Sequence, residues 1–98
     1  MNQITAKYEE GLKESLTYSD EAAAYLNAAL EENDQELFLL ALRDIAEARG
    51  FSQVAQDTFL NRENLYRMLS ATGNPQLSSL NALLRSMGLR LAVAIEPA

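Results

Sequence analysis

From Ser19 onward the apolar positions recur every three or four residues, the spacing of one face of a helix. Ala22, Tyr25, Leu26, Ala29 and Leu30 form one such stripe, and Ser19 or Asp20 is placed to cap a helix running to about Glu32. Asn33-Asp34 reads as an end followed by a start. Asparagine tolerates the left-handed cap conformation, and the aspartate accepts the next helix's free N–H groups. That next helix carries Leu37, Phe38, Ala41, Ile45 and Ala48 on one stripe and stops at Gly50. Upstream, Lys7 to Leu16 reads as a weaker, charged helix interrupted by Gly11.

Downstream the elements become short. Ser52 is placed to cap a helix over Gln53 to Asp57. Thr58-Phe59-Leu60 then forms a three-residue turn, and Asn61 caps a second helix running to about Ser70. Gly73-Asn74-Pro75 breaks the chain, and a last helix bears Leu77, Leu80, Leu83, Leu84 and Met87 before Gly88. The tail then changes period. Leu89, Leu91, Val93 and Ile95 alternate with Arg90, Ala92 and Ala94, the pattern of a half-buried strand. A strand needs a partner for its backbone groups. Pairing with the same segment of a second subunit across a two-fold axis supplies one and predicts a homodimer. The alternatives are a frayed tail or pairing with Gln3 to Thr5.

Two short helices joined by a tight turn form the supersecondary unit that sets one helix across the other at a steep angle. Val54, Leu60, Leu65, Met68 and Leu69 are spaced to lock the pair, and Ala55 is small where the helices approach. With those residues inward, Arg62, Glu63, Tyr66, Arg67 and Ser70 point outward. Guanidinium, phenol and hydroxyl groups suit the bases and phosphates of a major groove. The competing reading is an αα-hairpin with a solvated face.

Composition narrows the chemistry. The 98 residues suffice for one core, and 48% hydrophobic with 22% charged is ordinary globular composition. No cysteine or histidine is present, so disulfides, thiolate nucleophiles and imidazole chemistry are absent. We therefore expect no enzyme, no catalytic residues and no cofactor. The acidic group Glu31, Glu32, Asp34 and Glu36 matches no calcium-loop spacing, so no metal site is expected there either. No run is apolar enough to span a membrane, and the N-terminal residues carry no secretory core, which points to the cytoplasm. The net charge of -6 is unevenly spread: Met1 to Ala48 holds eleven acids and three bases, whereas Arg49 to Ile95 holds five arginines and two acids. An acidic half beside a basic half suggests two surfaces, the second suited to a polyanion and the first to a basic protein.

The segments Ala24-Tyr25-Leu26-Asn27-Ala28-Ala29-Leu30, Asp44-Ile45-Ala46, Ser52-Gln53-Val54-Ala55, Arg62-Glu63-Asn64-Leu65-Tyr66, Gly73-Asn74-Pro75 and Gly88-Leu89-Arg90-Leu91 resemble the probable addiction-module antidote proteins. These are HigA-like antitoxins of bacterial type II toxin–antitoxin systems, within the lambda-repressor-like helix–turn–helix superfamily. The resemblance spans roughly Tyr18 to Val93. It implies an all-α helix–turn–helix bundle acting as a dimer, to which the tail's own alternation adds a short C-terminal β-strand pairing in that dimer. It also implies binding to double-stranded operator DNA and neutralisation of a cognate RelE/ParE-like toxin. On this basis residues 1–18 are an N-terminal extension, 19–88 the DNA-binding domain, and 89–98 the strand and tail.

Carried over by position, Arg62, Tyr66 and Arg67 are the leading groove contacts, with packing as the alternative role of Tyr66. Glu63 accepts from cytosine N4 or caps its helix, and Ser70 completes the face. Ser52 and Gln53, at a helix N-terminus, and Asn74 are phosphate candidates. Leu89, Leu91, Val93 and Ile95 are expected at the dimer interface, and Glu31 and Glu32 at the toxin. One departure concerns the turn, where the family usually has glycine and this chain has Phe59. A left-handed residue with a Cβ costs roughly 1–2 kcal/mol, so either the turn is rebuilt or the ring packs to offset the strain. Two other functions fit the same residues: a phage-type repressor without a toxin, and an interaction module that has lost DNA binding.

Overall fold

The computed structural model describes the backbone of residues 3–97 and the side chains of residues 8–97. Met1, Asn2 and Ala98, which belong to the expected untargeted N-terminus and the tail, lie outside the described residues. Six helices follow one another: α1 (Gln3–Ser15), α2 (Ser19–Glu31), α3 (Gln35–Arg49), α4 (Phe51–Thr58), α5 (Arg62–Met68) and α6 (Leu77–Ser86). Among the described residues there is no strand. Residues 3–5, weighed above as a strand partner, form the first turn of α1 instead, and α1 continues through Gly11.

α3 is the central element, packed against α1, α2 and α4. Because it is covered on several sides, its buried set is broader than a single stripe: Leu39, Ala41, Leu42, Ile45 and Ala46. Leu37 and Leu30, expected in the core, are exposed, whereas Leu39 and Leu42 take the central places. Leu16 and the half-buried Leu12 bring α1 into the same core. The Asn33-Asp34 junction forms as expected. Asn33 is left-handed at φ 54°, and the Asp34 carboxylate accepts from the Glu36 and Leu37 N–H groups at 3.0 and 3.3 Å.

Two caps differ from expectation. α2 begins at Ser19 after Tyr18, without a side-chain cap. The Ser19 hydroxyl instead donates to the Met87 carbonyl at 2.8 Å, tying the start of α2 to the end of α6. Gly88 permits that approach: its φ is +75°, and a Cβ there would fall 2.6 Å from the Ser19 oxygen. Similarly, α4 begins at Phe51 behind Gly50, so Ser52 lies inside the first turn and is not its cap. Gly50, at φ 92°, ends α3 and starts α4 without an intervening loop.

The same corner consumes one of the five C-terminal-half arginines. Arg49 donates to the carbonyls of Thr17 at 3.1 Å, Met87 at 3.2 Å and Ser86 at 3.5 Å. A cation at the last carbonyls of α6 is stabilised by the helix dipole as well as by the hydrogen bonds. Arg49 thus joins three segments of the fold and contributes nothing to a polyanion surface.

After α6 the Gly88 and Leu89 N–H groups return to the Arg85 and Leu84 carbonyls at 3.0 and 2.8 Å, a Schellman closure. The expected strand is not formed. Leu89 is half-buried against the core, and the following residues run beside Leu26, Leu30 and Phe38. Val93 and Ile95 then project into solvent, essentially fully exposed. Alternation alone cannot make a strand; a second backbone must be there to pair with it.

Candidate functional site

α4 and α5 cross over an apolar contact built from Val54, Leu65 and Leu69, all buried, with Leu60, Met68 and Ala55 half-buried around them. Thr58 closes α4: its hydroxyl donates to the Val54 carbonyl at 2.7 Å and accepts from the Leu60 N–H at 3.3 Å. Asn61 then caps α5, its side-chain oxygen accepting from the Glu63 and Asn64 N–H groups at 2.7 and 3.3 Å. Such a cap contributes about 1 kcal/mol and fixes where the helix starts. The seven-residue α5 is therefore a rigid, well-anchored rod despite its length.

Phe59 settles the question raised by its replacement of glycine. The turn is not rebuilt: Phe59 is left-handed, with φ 59° and ψ 20°. Nor does the ring pack, since it is 96% exposed. The strain is carried without a compensating intramolecular contact.

The outward face of α5 presents Arg62, Glu63, Asn64, Tyr66 and Arg67. Arg62 and Arg67 are exposed, and neither makes a hydrogen bond or ion pair among the described residues. Tyr66 is held in place. Its ring stacks on Phe51, with centroids 4.2 Å apart and planes 13° from parallel. The Arg43 and Arg62 guanidinium carbons lie 5.6 and 5.8 Å from the same ring centroid. Stacking and cation–π attraction of this kind add about 0.5–1.5 kcal/mol each and orient the groups. Because Phe51 opens α4, the stack also sets the N-terminus of α4, with Ser52 and Gln53, beside the middle of α5.

At the other end of α5, Arg67, Ser70 and Asn74 line one polar groove together with Asn64, Gln76 and Ser79. Gly73 makes that groove possible, because a Cβ there would overlap the Met68 carbonyl oxygen. Two predicted contacts are partly engaged by the protein itself. The Ser70 hydroxyl donates to the Arg67 carbonyl at 2.8 Å, and the Gln53 amide donates to Asp57 at 2.9 Å. The predicted residues therefore fall into two sets on one surface: Ser52, Gln53, Arg62 and Tyr66 toward the stack, Arg67, Ser70 and Asn74 toward the groove, with Glu63 exposed on α5.

Sequence reasoning missed Arg43 and Phe51. Arg43 sits on α3, where its helical spacing shows only a charged surface position; a 3.3 Å ion pair with Glu47 orients it toward Tyr66. Phe51 opens α4, and its stacking on Tyr66 joins residues fifteen apart in the chain, which local spacing does not show.

Glu31 and Glu32 are exposed at the end of α2, on a different part of the molecule. Nearby, the Tyr25 hydroxyl donates to Asp44 at 2.5 Å. Burial, that hydrogen bond and the Asp44 charge push the Tyr25 phenol up to about 12. Among the described residues no group of three or more histidine, cysteine, aspartate or glutamate side chains is placed to hold a metal ion. No helix among them is long and apolar enough to cross a membrane.

Comparison with known proteins adds a family. The profile described as "Probable addiction module antidote protein" matches residues 7–95. A protein of Haemophilus influenzae (strain ATCC 51907 / DSM 11121 / KW20 / Rd), described as "Uncharacterized protein", is 44% identical over 80 residues, covering 82% of each chain. No solved structure matches the chain.

Proposed function

The chain belongs to the probable addiction module antidote protein family, and from that premise we propose that it is an antitoxin that binds its own operator DNA as a homodimer and neutralises a small toxin protein. The pair α4–α5 acts as a helix–turn–helix of the lambda-repressor-like kind, with α5 entering the major groove. One observation carries this reading: among the described residues Arg62, beside the Tyr66 ring, and Arg67 donate to no acceptor, and both are exposed on the outer face of a helix whose inner face and cap are packed. A fixed helix backbone sets where these side chains start, and their guanidiniums keep every donor free for an outside acceptor.

The roles follow from position. Arg67 donates a bidentate pair to a guanine, with Asn74 and Ser70 flanking it in the groove. Arg62 reads a base or holds phosphate at the start of α5, and Glu63 accepts from a cytosine. Tyr66 orients Arg62, and Arg43 steadies Tyr66. The exposed first turn of α4, at Ser52 and Gln53, offers N–H groups to a backbone phosphate. The acids of α2 and α3 do not cancel this local field, because screening limits their reach to roughly 10 Å.

The tail is proposed to complete the dimer. Leu89 stays on its own core, while Leu91, Val93 and Ile95 extend beyond it and pair with the same segment of a second copy. Two α5 helices then address half-sites roughly 34–36 Å apart. Glu31 and Glu32 lie on the half assigned to the toxin.

The test is binding to the chain's own promoter fragment across a salt series, for the full chain and for a chain ending at Leu91. The full chain is expected to bind a palindrome specifically, with affinity falling steeply as salt rises through counterion release. The shortened chain is expected to be monomeric and to bind much more weakly. A salt-insensitive or sequence-indifferent full chain refutes operator recognition, and a dimer that survives truncation refutes the role of the tail.

A further inference from the structure

The operator-binding face leaves a second surface of α2 and α3 unused. The tail runs along the side of α2 that carries Ala23, Leu26 and Leu30. On the opposite side, α2 and α3 leave a shallow groove floored by Ala29 and Ala41, walled by Leu37 and Leu40, and edged by Glu32 and Asp44. Leu37 and Leu40 are 40% and 38% exposed, although both belong to the chain's most central helix. Two leucines three residues apart, facing water beside a core helix, are apolar surface that the fold itself does not cover.

The charged residues that line this groove are Glu32 and Asp44, with Lys13 of α1 on the far side of Asp44. From Ser19 to Arg49 the chain carries eight acids against Arg43 and Arg49. Arg43 is paired with Glu47 and faces Tyr66, and Arg49 is turned into the α6 corner. Among the described residues no lysine or arginine lines the groove itself. Nucleic acid, an acidic peptide or an anionic lipid surface is repelled there. An apolar side chain flanked by lysine or arginine is attracted on both counts.

We propose that this groove is a docking site for a basic amphipathic helix of a partner protein. The partner's aliphatic residues, spaced i and i+4, enter between Leu37 and Leu40, and its lysines or arginines meet Glu32 and Asp44. The inference deepens the antitoxin reading, on which it rests for the partner being a toxin; the chemistry of the groove does not depend on it. It also moves the toxin site from the end of α2, at Glu31 and Glu32, into the α2–α3 groove, keeping Glu32 at its edge.

The experiment titrates isotope-labelled full-length chain with a synthetic amphipathic helix of leucine and lysine, using the glutamate-for-lysine peptide as control. Saturable resonance shifts are expected at Leu37, Leu40 and Ala28 with the lysine peptide alone, and the affinity is expected to fall with salt. The variant Leu37→Gln/Leu40→Gln is expected to lose about tenfold in peptide affinity, since the apolar surface each leucine still exposes is what the peptide would cover. Leu37 and Leu40 keep only 40% and 38% of their surface exposed, so the variant is expected to melt lower, and affinities are compared at a temperature where circular dichroism shows both chains folded. Glu32→Lys is expected to weaken binding separately by an electrostatic route. Shifts centred elsewhere, or unchanged affinity in the double variant, overturn the proposal. Self-association lost in that variant assigns the groove to a second copy and overturns it too. Operator binding is measured in parallel. If the parent chain binds no operator, the operator-binding part of the antitoxin reading fails while the peptide result still decides the groove.

Discussion

Two arginine-bearing regions of this chain carry the same charge and do opposite things. At the corner where α1, α3 and α6 meet, Arg49 is drawn inward and donates to the Thr17, Ser86 and Met87 carbonyls. On the outer face of α5, Arg62 and Arg67 meet no acceptor among the described residues and remain exposed. The difference lies in what surrounds them. Arg49 ends its helix against the carbonyl end of α6, where unsatisfied acceptors wait for a donor. Arg62 and Arg67 lie on a helix whose own N–H groups are already answered by Asn61 and whose apolar side is already packed. Counting arginines in the sequence cannot separate these situations, and the count therefore overstated the basic surface.

The sharpest way to break the comparison is to remove both kinds of arginine and read two quantities. Arg49→Ala is expected to destabilise the fold by about 2–3 kcal/mol, because it strips several carbonyls of a charged donor. A thermal melt is expected to shift down by about 10 °C or more for a chain of this size. If Arg49→Ala melts like the parent, the corner is not a structural joint. Arg67→Ala is expected to behave the other way round, with operator affinity falling by about 1–3 kcal/mol and melting unchanged within about 0.5 kcal/mol. An Arg67→Ala chain that binds its promoter normally removes Arg67 from the set of base readers.

A smaller test uses the two left-handed residues outside glycine, Asn33 at φ 54° and Phe59 at φ 59°. Asparagine adopts this conformation at low cost, while an exposed phenylalanine does not. Phe59→Gly is expected to stabilise the chain by about 0.5–1 kcal/mol in denaturant unfolding, the strain released less the entropy that glycine adds. Asn33→Gly is expected to change stability by less. A Phe59→Gly chain that gains nothing shows that the turn tolerates the ring without strain.

Much of the local structure was legible beforehand. The Asp34 and Asn61 caps, the breaks at Gly50 and Gly88, and the inward set Val54, Leu65 and Leu69 follow from side-chain chemistry and spacing within a few residues, which is the range over which helix signals act. The outward position of Arg62, Tyr66 and Arg67 followed from the same periodicity. The misses have a common origin. Ser19 and Ser52 are good capping residues by type, yet Ser19 is engaged by Met87, distant in sequence, and Gly50 already takes the cap position of α4 two residues ahead of Ser52.

The chain's own pattern of apolar and polar positions thus determined that it is helical, where most helices end, and which face of α5 looks outward, because each depends on neighbours along the backbone. Tertiary structure alone decided that Arg49 is a joint, that Arg43 and Phe51 brace Tyr66, that Leu39 and Leu42 fill the core while Leu37 and Leu40 reach water, and that residues 89–97 find no strand partner among the described residues of their own chain. Those outcomes depend on which surfaces and acceptors come together when distant segments pack, and no local spacing encodes them.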